Sequence, residues 1–182
     1  MGAVSAFFEE VNPLFGFYFD VGFASHTVRE RLIKVQTEIG ATDDSPFMVR
    51  SGPPEGTPEQ ELERSLHATT LGALKERLSD PGLDLVWAAH SVVVFVFHVW
   101  DERYRGLVAS ERGLDTRSVQ VDILGDMRLI RNSLIHNKGI AASDVAKCKS
   151  LVRFEPGDVI QLDKKDIEFI ILKLREQLQP YA

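Results

Sequence analysis

The chain has 182 residues, 44% of them hydrophobic and 26% charged, a formal net charge of −6 and one cysteine. That length and balance suit one globular domain, residues 1–182, with a sizeable core. The negative charge excludes a general nucleic-acid coat, whose affinity comes from phosphate neutralisation. A lone cysteine excludes an intrachain disulfide and a multi-cysteine zinc site, and makes a reducing, cytoplasmic setting the default.

The first residues lack the basic start of a secretory signal, and Ala6 stands where N-myristoylation needs Ser or Thr. Ala3–Val21 is rich in aromatics (Phe7, Phe8, Phe15, Phe17, Phe19), and Pro13 and Gly16 predict a broken or short helix there. Ser25–Ile39 sets Val28, Leu32 and Val35 at helical spacing among charges. Ala41–Gly56, with Pro46, Pro53 and Pro54, reads as a long, mobile connection.

Thr57-Pro-Glu-Gln60 has the form of a capping box with proline at the first helical position, and predicts a helix running to about Leu78. Asp80-Pro-Gly82 forces a turn. Leu83 to about Ala109 follows. Val92–Phe97 favours a strand locally, yet the flanking Trp87-Ala-Ala and Trp100-Asp-Glu-Arg-Tyr-Arg105 extend a helix without turn residues. Asp84, His90, Ser91 and His98 interrupt the apolar run Leu83–Trp100, so it reads as a buried core helix and not as a membrane span.

Asp115 or Thr116 is placed to cap a helix reaching about Asn137, with Gly139 as a left-handed stop. Ala142–Cys148 predicts a short helical turn. Val152–Phe154 and Val159–Leu162 flank Glu155-Pro-Gly-Asp158, a type II turn pattern between two short strands. Asp163 caps a last helix with Ile167, Ile170, Leu174 and Leu178 on its apolar face. The sum is an all-α bundle of four to five helices with a small β-hairpin near the C-terminus.

The helix ending at Asn137 carries the chemistry. At about 100° per residue, Val119, Ile123, Met127, Ile130 and Leu134 form one arc, facing the core. Asp122, Asp126, Arg128, Asn132, Ser133 and His136 fall on the other side. Arg131 joins neither group: it projects about 140° from His136, within an apolar sector. There it must pair, snorkel or face another chain. Arginine stabilises phosphate charge and histidine moves protons near neutral pH. From Asp101 to Lys138 the chain has seven Lys or Arg and six Asp or Glu, a local +1 that leaves −7 for the rest. Any RNA contact is therefore local rather than a basic stripe.

The run Asp126–Gly139, with Arg131 followed directly by Asn132 and then by His136, resembles the signature of the HEPN superfamily. Trp100-Asp-Glu-Arg-Tyr-Arg105 is similar to the aromatic, charged end of the preceding helix in some HEPN-like bacterial proteins. Together these stretches cover a minority of the chain. The resemblance implies a homodimeric endoribonuclease that needs no metal or other cofactor, with a cleft shared by two protomers. His136 would serve as acid and base, Arg131 would stabilise the phosphate charge, and Asn132 would orient the arginine or the ribose. Arg128 and Lys138 would hold flanking phosphates. Stress response, phage defence or a toxin with an antitoxin or regulatory partner are the settings implied. The alternative is a non-catalytic module of the same fold that binds a nucleotide or a partner protein. Arg131 would then be structural, paired for example with Asp101 or Glu102.

Elsewhere the residues read as structural. His90 and His98 lack a third metal ligand and read as core histidines. Trp87, Trp100 and Tyr104 read as core or dimer-interface aromatics. Glu9-Glu10 and Asp43-Asp44 read as solvated charge, and Cys148 as unreactive.

Overall fold

In the computed structural model, which describes residues 2–50, 52 and 56–182, the chain is mostly helical with one two-stranded antiparallel sheet. The all-α expectation holds at that level. Its described residues cluster in two compact units, 2–20 with 86–182, and 21–85.

Helix α1 runs unbroken from Ala3 to Ile39, with Pro13 inside it, and corrects the expected division into two helices. Proline removes one backbone donor, but here the aromatic face keeps the helix together. Phe7, Val11, Phe15 and Tyr18, close to one turn apart, are all buried. Beyond residue 20 the pattern misleads. Val28 and Val35 are exposed, whereas Ser25 is buried, and Arg29 donates from Nε to the Lys75 carbonyl at 3.3 Å.

The segment 41–56, expected as a mobile connection, contains strand β1 (Pro46–Val49); residues 51 and 53–55 lie outside the described residues. The proline occupies the first position of the strand, where its missing donor is tolerated. The expected helix from Thr57 to Leu78 is likewise divided. Helix α2 (Pro58–Glu63) keeps the capping box, with Gln60 N–H donating to Thr57 Oγ1 and Thr57 N–H to Gln60 Oε1. Strand β2 (His67–Thr70) then pairs with β1 in the register Pro46↔Thr70 to Val49↔His67. Helix α3 (Leu71–Arg77) begins on a Thr70 hydroxyl cap. The β-branched Thr69 and Thr70 and the available β1 edge outweigh helical continuity.

Helix α4 (Leu83–Val99) leads through a π-helical turn (Trp100–Tyr104) into α5 (Arg105–Glu111), so the helical reading of Val92–Phe97 is right. The run 83–111 is long and apolar enough to cross a membrane, and half of its most apolar window is buried inside the protein. Phe7 packs edge-on against Trp100 and Tyr104, with ring centroids 5.4 and 5.5 Å away. Trp87, by contrast, is exposed. Glu10 is no free surface charge, since Tyr104 donates its hydroxyl to it at 2.6 Å and Arg103 pairs with it at 2.9 Å. His90, half-buried, donates from Nε2 to the Ile160 carbonyl at 3.0 Å.

Asp115 caps a 3-10 turn (Thr116–Ser118), and helix α6 starts only at Asp122, later than the sequence suggests, and ends at His136. A second 3-10 turn occupies Ser143–Lys147. Helix α7 (Lys164–Leu178) opens on an Asp163–Asp166 capping box and buries Ile167, Ile170, Leu174 and Leu178 completely.

The hairpin expected near the C-terminus is not formed. The Pro156-Gly157 turn is present, with Gly157 at φ 99° and Asp158 N–H on the Glu155 carbonyl at 3.0 Å. Residues 157–160 bond instead to the segment after α6. Gly157 N–H donates to Ala141 O, Ala141 N–H to Asp158 O, and Ile160 N–H to Gly139 O. This leaves a single isolated bridge, Ile140↔Val159. The expected first strand, Val152–Phe154, forms no strand; it follows directly on residues 149–151, whose backbone donors are taken by Asp126.

Candidate functional site

Helix α6 is amphipathic in the way its sequence predicts on one side only. Val119, just before it, and Ile123, Met127 and Ile130 are fully buried, and Leu134 half-buried. Two residues assigned to the polar side are buried as well. Asp126, 2% exposed, accepts backbone N–H bonds from Lys149 (2.9 Å), Ser150 (2.6 Å) and Leu151 (2.8 Å). Ser133, 0% exposed, accepts from Ala142 N–H at 3.0 Å and donates to the Leu129 carbonyl. The segment 140–151 is folded over this face by those two side chains, and a buried polar group with all its partners is stable where an unpaired one is not.

What remains open on α6 is Arg128, Asn132 and His136. Four-residue spacing sets them along one face. Arg128 and His136 are exposed, and Asn132 half-buried. Arg131 is half-buried and donates from Nη1 to Asn132 Oδ1 at 3.1 Å. It forms no ion pair among the described residues; Asp101 pairs with Arg105 instead. The structure thus ties Arg131 to Asn132. It leaves His136 about 7.5 Å farther along the axis and about 140° around it. The helix closes with two left-handed residues, Lys138 (φ 54°) and Gly139 (φ 79°). Gly139 is the stop that was expected. Lys138 is exposed at the same end as His136.

Beside the N-terminal half of α6 lies a cleft of about 480 Å³, with Phe97, Trp100 and Leu124 among its lining. Its charged lining comprises Arg105, Arg128, Lys147 and Lys149 with Asp101, Asp122 and Asp126. Arg128 is the one candidate residue that borders it. Lys147 and Lys149 were not singled out from the sequence. Only the fold of 140–151 carries them to α6, and the lone local signal is the alternation Lys147-Cys-Lys149. Lys149 pairs with Asp122 at 2.8 Å, which holds the lysine above its usual range. Asp144 sits below the usual carboxylate range because Lys147 bonds to it, with Arg128 adding its charge. Beneath the cleft, burial first and then the charge of Asp126 push the Cys148 thiol up to about 11. No group of metal-ligating side chains occurs among the described residues.

No family model matches the chain, and neither a curated protein nor a solved structure matches it.

Proposed function

We propose that the protein is a HEPN-like endoribonuclease, working without a metal ion at a site shared across a homodimer in the cytoplasm. The observation that carries this reading is the state of Arg131. An arginine in an apolar sector would ordinarily be neutralised by a carboxylate of its own chain. Here it is steadied by the neutral oxygen of Asn132 and keeps its charge for an outside anion.

In this reading the ribose 2′-oxygen attacks the adjacent phosphorus. Its proton passes to His136 of one protomer. The 5′-oxygen leaves with a proton from His136 of the partner subunit, giving a 2′,3′-cyclic phosphate and a 5′-hydroxyl. Arg131 stabilises the charge that builds on the non-bridging oxygens, and Asn132 positions Arg131. In this reading a second protomer is needed because the base and the acid are both His136, one from each copy. A toxin or phage-defence role, with an antitoxin or regulatory partner, fits such an activity.

The test is cleavage of end-labelled structured RNAs in chelator, beside His136→Ala. If both proteins are folded and dimeric and neither cleaves, a non-catalytic module that binds a nucleotide or partner protein is the better reading. The overall charge of −6 is compatible with that second role.

A further inference from the structure

We propose that the cleft beside α6 holds one nucleotide of a single RNA strand, with its phosphate on Arg128 and Lys147. The inference rests on the reading above only for the identity of the strand; the anion-binding character comes from the cleft itself.

Its charges are not evenly paired. Asp126 is turned into the protein and occupied by three backbone donors. Asp122 is matched by Lys149 and Asp101 by Arg105. Lys147 is matched by Asp144, an exposed residue. Arg128 has no ion pair or hydrogen bond among the described residues and stands on the border of the cleft. Four cations thus face four carboxylates, and what the cleft offers an anion is not a net charge but the guanidinium of Arg128, whose charge reaches Asp144 without an ion pair to it. Exposed lysine–carboxylate pairs contribute only about 0–1 kcal/mol. A phosphate that takes two parallel bonds from Arg128 therefore displaces Asp144 from Lys147 at little cost.

The size and shape agree. About 480 Å³ falls within the range that accepts a small molecule such as a nucleotide. Phe97, Trp100 and Leu124, each less than a tenth exposed, form the apolar floor of the cleft, and the cationic side chains stand around it. The wall made by Trp100 is the π-helical turn between α4 and α5, a feature that often marks functional sites because it re-aims side chains out of helical register. Arg128 is one turn from Asn132 and two from His136, so a strand leaving the cleft along this face runs directly onto the motif.

The test uses a fluorescein-labelled single-stranded 2′-O-methyl RNA twelve-mer, which lacks the attacking hydroxyl, with binding read by fluorescence anisotropy. Arg128→Ala and Lys147→Ala should each weaken binding by about fivefold or more and flatten its salt dependence by about one charge. Lys165→Ala, an equal change of charge on α7 away from the cleft, should change binding less than twofold. Circular dichroism checks that each variant is folded. Loss of binding in the two cleft variants, with Lys165→Ala binding as the wild type does, supports the proposal even if unmodified RNA is never cleaved; in that case the nuclease reading alone fails. Failure of the wild type to bind the twelve-mer overturns the proposal, and so does equal binding by wild type, Arg128→Ala and Lys147→Ala. Cleft-dependent binding of free AMP without binding of the twelve-mer overturns it too, since the site would then serve a soluble nucleotide.

Discussion

Arg131 donates to the side-chain oxygen of Asn132, its own neighbour in sequence, at 3.1 Å. Two residues that project about 100° apart on a helix are joined because the arginine bends around the helix surface. The bond fixes one edge of the guanidinium and leaves the others able to meet an anion. If that is its purpose, geometry and charge are both required. Arg131→Lys keeps the charge but loses the planar fork. RNA cleavage by this variant should fall about 100-fold or more, with a melting temperature within about 3 °C of wild type. A lysine variant as active as wild type would show that only charge matters.

Asp126 should be a determinant of stability rather than of activity. It holds the backbone of residues 149–151 against α6 with three bonds. In Asp126→Asn the amide cannot accept on its nitrogen side, so buried donors lose their partner. The cost should be about 3 kcal/mol, measured by urea unfolding. Faster amide exchange confined to Lys149–Leu151 would locate the loss.

The half-buried His90 makes stability depend on pH. Burial holds His90 below its ordinary value of 6.5, an effect partly offset by its bond to the Ile160 carbonyl. Between the ordinary value and the lower folded one, the unfolded chain binds the extra proton and the folded chain does not. The contribution of His90 is therefore present above about pH 6.5 and is lost as pH falls toward the folded value. His90→Gln keeps a donor for Ile160 without titrating. Its stability should decline less than that of wild type between about pH 7 and 5, as judged by denaturant midpoints.

Cys148 should resist thiol reagents. Its thiol is buried and pushed up to about 11, and the thiolate is the reactive form. At pH 8 the native protein should react with iodoacetamide at least about tenfold more slowly than the unfolded chain. Equal rates would mean that the segment over α6 opens freely.

Lys138 offers a separation of stability from function. At φ 54° it occupies a conformation that glycine adopts more readily. Lys138→Gly should be neutral or stabilising by up to about 1 kcal/mol. If Lys138 holds a flanking phosphate, the same variant should bind RNA more weakly.

The sequence displays its local chemistry well and its long-range choices poorly. The α7 cap at Asp163, the Thr57–Gln60 capping box and the buried face Ile123–Met127–Ile130 depend on neighbours within a turn, and each is present. Asp126 and Ser133 were misplaced because helical spacing cannot anticipate that a later segment, 140–151, returns to be held by them. The C-terminal hairpin failed for the same reason: residues 157–160 found a nearer partner in 139–141. Strands β1 and β2 went unseen because a four-residue strand leaves little periodicity. On α6, Arg128, Asn132 and His136 share a face as helical spacing says, whereas the bond from Arg131 to Asn132 does not follow from spacing. Lys147 and Lys149 reach the cleft only through tertiary folding.

The central claim is the nuclease site on α6. Purified protein incubated with end-labelled structured RNAs in chelator, beside His136→Ala, tests it most directly. The account predicts cleavage by the wild type that yields 2′,3′-cyclic phosphate ends and disappears in the folded variant. Cleavage that persists undiminished in His136→Ala would contradict it.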